Sequence, residues 1–555
     1  MTTGSPTVLI LGAGINGCAL ARELALNGVS VWVVDCADIA GGATAGSSRL
    51  VHGGLRYLEY GEFDLVKESL AERARLVRLA PQFVRPLQLW IPLSSRLGGA
   101  IGAIGRFFGW KYWPAPKAER GMVLVRAGLS FYDAYAHDPH WPRYQVARAS
   151  QPGTLRVNSK KYRWLLSYFD AQVAFPECLT TALLEDARNL SEERGLDFRV
   201  MTYSKATLCD RTVQIVPLVD NLGTAATIDP AVIVNATGAW VDETLERLHV
   251  PSERLIGGTK GSHFFTFNER LRGALQCQGI YAEASDGRPI FITPLDGAVL
   301  VGTTDVPFEG PPEQARATES ELRYLLDSVN AILPEVRLAW SDIDFHTSAV
   351  RPLPNVTSAT TGAITRRHAL VRNEAAGVPL FSIVGGKLTT MRSLAESTSA
   401  TVLAQLGRST TAHSQNRPIP GGGDYPPDAE ALSARLQEIA EQTGFSADSV
   451  RAVWRLCGTQ AVRYLTALAD RELLPDTDLP CCYVRAVIER QWASRLPDLV
   501  ERRLMLLYHQ RLTRACLVRL AQLLLETGRL AAAQVDSAVT CEIQRLGERY
   551  GKRIE

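Results

Sequence analysis

Gly12, Gly14 and Gly17 stand in a G-x-G-x-x-G spacing directly after the apolar run VLIL, and Asp35 closes the next apolar run, VSVWVV. Glycines at those three points serve a tight turn, the close approach of a pyrophosphate, and the close packing of a helix on a strand. A carboxylate placed like that of Asp35 can accept from a ribose hydroxyl. The chemistry implied is recognition of a dinucleotide, whose diphosphate rests on the free N–H groups and positive dipole end of a helix. The motif alone does not choose between NAD and FAD.

Two further glycine-bearing stretches bear on that choice. VIVNATGAW places Ala236, Thr237 and Gly238 at the end of a strand, where small residues let the backbone approach the adenine–ribose half of a long cofactor. FSIVGGKLTT runs from a strand into Gly385 and Gly386, with a helix expected to begin near Lys387 and Leu388. A helix N-terminus there would stabilise the negative charge of a reduced flavin. One strand–glycine–helix element at each end of a domain, with the Ala-Thr-Gly strand between, suits FAD better than NAD. Residues 41–56, GGATAGSSRLVHGGLR, hold no apolar strand for a second mononucleotide unit. Their small residues and hydroxyls, among them Thr44, Ser47, Ser48 and Gly53, suit a backbone that wraps along an extended ligand.

The elements that must position these residues follow from hydrophobic periodicity. Residues 8–11 read as a buried parallel strand, 18–26 as a helix stopped by Gly28, and 29–34 as a second strand. Residues 62–79 read as a helix with a charged outer face. From 151 to 330 short strand-like runs (198–209, 212–219, 231–240, 262–267, 290–295 and 298–305) alternate with helices, several with the apolar alternation of a sheet covered on one face. The Pro/Gly-rich stretch 416–427 reads as a linker, and beyond Asp428 the chain is helical almost throughout. The fold class expected is therefore α/β: a Rossmann-like FAD-binding domain interleaved with an antiparallel-sheet substrate domain over 1–415, and a separate all-α domain over 428–555.

Composition narrows the class. A chain of 555 residues with 46% hydrophobic content is long enough for two or three globular domains. A net charge of +2 argues against a nucleic-acid binder. Ten cysteines lack metal-ligand spacing, so no metal is expected, and adjacent Cys481 and Cys482 read as packing residues. No secretory segment precedes Val8, which suggests an intracellular chain with reduced thiols. No apolar run is long enough to span a bilayer. Residues 94–113, SSRLGGAIGAIGRFFGWKYW, combine apolar, aromatic and basic character. They read either as a glycine-rich buried helix or as an interfacial patch with Phe107, Phe108, Trp110 and Trp113 in lipid and Arg106 and Lys111 at headgroups.

The segments GAGINGC, SSRLVHGGLRYLEYGEFDLVKESLAER, VNATGAWVD, KGSHFF, VGTTDVPFEG, TSAVRPL, AITRRH and GGKLTTMRSLAE, in this order over roughly residues 7–400, resemble the FAD-dependent glycerol-3-phosphate dehydrogenase family. The resemblance implies a D-amino-acid-oxidase-like fold with non-covalent FAD. It implies oxidation of sn-glycerol 3-phosphate to dihydroxyacetone phosphate by hydride transfer from C2 to flavin N5. Electrons would pass to quinone at a membrane surface, from a cytoplasmic protein held peripherally on the inner face. It assigns substrate binding to Arg56, Tyr57, Arg351, Arg366 and Lys387, since guanidinium groups bind phosphate as a bidentate fork. His52 and His263 are its candidates for removing the hydroxyl proton, with a pKa near operating pH, and Arg351 could instead stabilise an alkoxide. Lys260 is a weaker candidate. Three rivals stand beside this reading: an oxidase returning electrons to oxygen, a dehydrogenase of another 2-hydroxy acid or amine, and a flavin-binding sensor without turnover. The sequence leaves the oligomeric state, a homo-oligomer included, open.

Overall fold

The Thr7–Leu11 strand lies at the centre of a six-stranded sheet, between Ser30–Val34 on one side and Val232–Asn235 on the other, parallel to both. Phe198–Met201 extends the sheet beyond Ser30–Val34, and the hairpin Ala369–Ala375/Val378–Val384 closes the opposite edge. The computed structural model describes residues 7–96, 121–136, 141–219, 223–355, 368–466 and 470–555, with the backbone alone for Arg56, Glu59, Tyr60 and Ala136.

The central strands are buried on both faces, which is why they read as continuous apolar runs rather than alternations. The helix Ile15–Leu26 is buried nearly all round, packed between helices Pro176–Arg194 and Met391–Gln405. It begins three residues earlier than periodicity suggested, because Ile15 to Gly17 turn helical directly after Gly14.

A second, ten-stranded sheet carries the strands Val84–Leu93, Trp164–Val173, Thr259–Thr266, Gly279–Glu283, Pro289–Leu295 and Ala298–Gly302, with Phe345–Arg351 paired antiparallel to Thr259–Thr266. Helix Glu319–Ile332 covers one face and shares a core with Ile292, Val299 and Val301. A small three-stranded sheet is formed by Ser204–Cys209, Thr212–Pro217 and Ala226–Ile228. The run 198–209 is thus two strands in two different sheets, not one. Tyr203 breaks it in the left-handed region at φ 50°.

Beyond Asp428 come the helices Ala429–Thr443, Ala447–Cys457, Cys481–Arg490, Arg514–Glu526 and Val535–Tyr550, with a π-helical turn at Asp498–Arg503. Their apolar faces join the same core as the first strand and its helix. Cys481 and Cys482 are both buried and unpaired as thiols. Among the described residues no helix is long and apolar enough to cross a membrane, and no cluster of potential metal ligands occurs.

Candidate active site

The three glycines of the first loop divide their work. Gly12 has φ 103°, and a Cβ there would lie 2.6 Å from the carbonyl oxygen of Ala236. A Cβ on Gly17 would overlap the carbonyl of Gly12, so Gly17 serves the packing of helix on strand. Gly14 faces open space, with Thr44 Oγ1 the nearest atom to a notional Cβ at 3.6 Å. No side chain caps the helix from its own N-cap, Gly14. Instead the Thr44 hydroxyl accepts the Ile15 N–H at 3.1 Å. The Asp35 carboxylate accepts the N–H groups of Ala13 at 2.7 Å and Ala37 at 2.8 Å. Burial raises its pKa, and those two donors pull against the rise.

These residues open on a cavity of about 1330 Å³. Gly12, Gly14, Asp35, Thr44, Ser47, Ser48, Ala236, Gly238, Gly385, Gly386, Lys387 and Leu388 all line it, as do His52, Tyr57, His263 and Arg351. Gly17 and Gly53 do not belong to its wall. The Gly53 N–H points instead to the buried Tyr132 hydroxyl at 3.0 Å and Asp170 Oδ1 at 3.1 Å. The cavity fits an extended dinucleotide in two ways beyond its volume. Its loop at Gly14 carries no side chain, and Asn16 Oδ1 and His263 Nδ1 are buried without a hydrogen-bond partner among the described residues.

Lys387 is not at a helix start. The strand Val378–Val384 ends in Gly385 and Gly386, at φ 80° and 98°, and the helix Met391–Gln405 begins four residues beyond Lys387. The loop between them lays the Lys387 ammonium 3.8 Å from the ring centroid of Tyr57. It also binds His52, whose N–H donates to Thr389 Oγ1 at 3.1 Å. The His52 ring faces Tyr57 at a centroid separation of 6.1 Å, with the two planes tilted by 29°.

His263 is buried in the strand Thr259–Thr266, its Nε2 2.9 Å from Ser48 Oγ. Burial, with lesser contributions from Arg351 and Arg49, lowers its pKa to about 3. This departs from the expectation of a histidine titrating near neutrality: the ring is held neutral through the physiological range. Arg351, at the end of the neighbouring strand, pairs with Asp305 at 2.9 Å and donates to Thr303 Oγ1 at 2.8 Å and the Thr304 carbonyl at 3.1 Å. Lys260 lies outside the cavity wall. Its ammonium is paired with Glu321 at 2.8 Å and donates to the Arg316 carbonyl at 2.7 Å. The Arg56 side chain and all of Arg366 lie outside the described residues, as do Arg106, Phe107, Phe108, Trp110, Lys111 and Trp113.

Several site residues escape sequence reasoning. Arg49 is fully buried and holds the 41–56 segment through both oxygens of Glu177, at 2.6 and 3.1 Å, and the Tyr508 hydroxyl. Arg288 reaches the Asp305 carbonyl at 2.9 Å and lines the cavity near Arg351. For Asp305 and Thr303 a signal existed, since both lie in the VGTTDVPFEG segment. For Arg49 and Tyr508 nothing local marks a pairing between the two ends of the chain.

A glycine loop and a large cavity lined from both the six-stranded and the ten-stranded sheet fit a flavin-dependent oxidoreductase. The chain belongs to the FAD dependent oxidoreductase family, whose pattern matches residues 7–377. Within that family, the resemblance to the glycerol-3-phosphate dehydrogenases is borne out. A glycerol-3-phosphate dehydrogenase of Synechocystis sp. is 32% identical over 89% of this chain and 88% of its own. A D-erythritol 1-phosphate dehydrogenase of Brucella abortus is 29% identical over 89% of this chain and 93% of its own. The structure of a glycerol-3-phosphate dehydrogenase from Bacillus halodurans, complexed with FAD, shares the fold with a TM-score of 0.72 at 20% identity, covering 99% of this chain and 96% of that one.

Proposed function

We propose that the protein oxidises sn-glycerol 3-phosphate to dihydroxyacetone phosphate. The observation that carries the reading is the convergence of Arg351, Lys387, Tyr57 and a neutral, buried His263 on one cavity, in a chain matched along most of its length by relatives of that name. FAD, when bound along Gly14, Thr44 and Gly386, supplies the acceptor for the hydride that leaves C2.

The chain's own residues bind, orient and move the proton. Arg351 and Lys387 offer charge-assisted donors to a phosphate, and Arg351 is already oriented by Asp305 and Thr303. If His263 donates Nε2–H to Ser48, its Nδ1 is left as a bare acceptor, suited to receive the C2 hydroxyl proton. An arriving phosphate dianion offsets the positive field of Arg351 and raises the basicity of that nitrogen. Tyr57, beneath the Lys387 ammonium, fixes where that charge sits.

A second reading is favoured by the Brucella relative, which is covered over nearly its full length: a longer polyol phosphate such as D-erythritol 1-phosphate. Both substrates share the phosphate and the secondary alcohol. The acceptor we propose is a membrane quinone, reached by peripheral contact with the membrane surface. The deciding experiment is anaerobic bleaching of the bound flavin by glycerol 3-phosphate, erythritol phosphate, glycerol and lactate. Bleaching by glycerol 3-phosphate alone supports the first reading, and faster bleaching by erythritol phosphate supports the second. Bleaching by lactate or by none removes both. Reoxidation in air without quinone, if fast, would make the enzyme an oxidase.

A further inference from the structure

The family pattern stops at residue 377, but the cavity wall does not. Arg495, Pro497 and Arg502 line the same cavity as Asp35, although they belong to the C-terminal helical region. They border the end of the cavity where the first βαβ unit finishes, the end expected to hold adenosine. Four side-chain contacts fix them there. Arg502 Nε is 2.6 Å from Asp38 Oδ2, and Arg503 grips both oxygens of the same carboxylate. The Tyr203 hydroxyl donates to Asp498. The Arg495 guanidinium lies 5.2 Å from the centroid of the Tyr203 ring, and the neighbouring backbone pairs Tyr203 and Ser204 with Ala37 and Asp35.

We propose that residues 495–502 form the outer wall of the adenosine pocket and that Arg495 lies against the adenine, so that the C-terminal helices retain the cofactor. A planar guanidinium stacks on an aromatic face and stays charged at all working pH values. Arg495 is itself exposed, so its charge keeps water within reach as it covers the base. The inference rests on the family's cofactor and not on the substrate.

The test uses the full-length protein, stripped of flavin in concentrated salt and titrated with FAD and, separately, with ADP. Arg495→Ala should weaken both by about three- to thirtyfold, the range for a cation–π contact at 1.4 kcal/mol per decade. Arg495→Lys should recover only part of the loss, since it keeps the charge without the plane. Arg529→Ala, exposed in the same helical region and outside the cavity wall, should change neither. Unchanged affinities in Arg495→Ala would overturn the proposal. So would a loss for FAD with ADP unaffected, which would move the effect to the flavin half. A wild-type protein binding neither ligand would remove the cofactor assignment as well, whereas failure of glycerol 3-phosphate to reduce a bound flavin would leave this inference standing.

Discussion

Asp38 and Arg503 meet as a two-point ion pair, Oδ1 to Nη2 at 2.7 Å and Oδ2 to Nη1 at 2.9 Å, with neither side chain exposed. One residue follows the first βαβ unit and the other lies in the π-helical turn of the C-terminal region. Burial pushes the Asp38 pKa up, but Arg503 and Arg502 outweigh it and hold the carboxyl below its ordinary value. Removing the carboxylate takes the two-point partner from buried Arg503 and leaves Arg502 with Glu501 and Asp498 alone. Asp38→Ala should therefore cost about 3–5 kcal/mol of stability, read as a lowered denaturant midpoint. A loss under about 1 kcal/mol would mean water or Asp498 replaces the carboxylate.

The glycines of the first loop should separate folding from cofactor binding. Gly17→Ala forces a Cβ into the Gly12 carbonyl and should lower soluble yield and melting temperature. Gly14→Val meets nothing closer than Thr44, so the protein should fold and yet release its flavin, giving colourless protein with near-normal circular dichroism. Full flavin occupancy in Gly14→Val would show that the diphosphate lies elsewhere.

Arg351 should matter only for phosphorylated substrate. A charge-assisted hydrogen bond contributes roughly 1.5–3 kcal/mol, so Arg351→Lys should weaken glycerol 3-phosphate about ten- to a hundredfold. Flavin reduction by unphosphorylated glycerol should be unaffected. An equal loss for both substrates would mean that Arg351, tied as it is to Asp305 and Thr303, shapes the site instead of binding the anion.

His263 links stability to acidity. Its folded pKa is about 3, against about 6.5 for an unfolded histidine. As pH falls below 6.5 the unfolded chain takes up a proton that the folded chain refuses. Stability is then lost down to about pH 3, at up to ~1.4 kcal/mol per pH unit. His263→Asn should lose less stability between neutral pH and pH 5 than the wild type does, by roughly 2 kcal/mol. Parallel stability curves for the two proteins would show that the folded ring titrates where an unfolded histidine does, near about 6.5.

Membrane contact gives the last prediction. If Phe107, Phe108, Trp110 and Trp113 enter the interface, vesicles with anionic lipid should sediment the protein. Changing all four to Ser should abolish sedimentation while activity with a soluble dye acceptor persists. Sedimentation of the quadruple variant at the wild-type level would place lipid contact on another surface.

The nucleotide-binding unit was legible because its determinants are local. Gly12, Gly14, Gly17 and Asp35 sit within one short βαβ unit, and each glycine's task could be named from spacing. The loop at Lys387 was misread because two glycines after a strand look alike whether a helix starts at once or after four residues. Only the left-handed torsions at Gly385 and Gly386 decide it. The break at Tyr203 was invisible for a related reason, since a non-glycine residue with positive φ leaves no compositional mark. Nothing in the neighbouring sequence marks Arg49 or Arg503 as buried. Their burial depends on Glu177, Tyr508 and Asp38, partners from distant parts of the chain that no periodicity connects. The low pKa of His263 belongs to the same class, because packing rather than sequence neighbours removes its water.

The cavity wall begins at Leu11 and includes Arg502 and Arg549, so its parts leave the ribosome at opposite ends of synthesis. At about 5–20 residues per second, the glycine loop waits on the order of half a minute to two minutes before the last wall residue emerges. A nascent or prematurely terminated chain therefore presents the loop without the wall that closes it. If residues 495–502 wall the adenosine pocket as proposed, flavin loading is a late event, and a retained yellow colour reports that the whole chain, and not only its nucleotide-binding unit, has been made and folded.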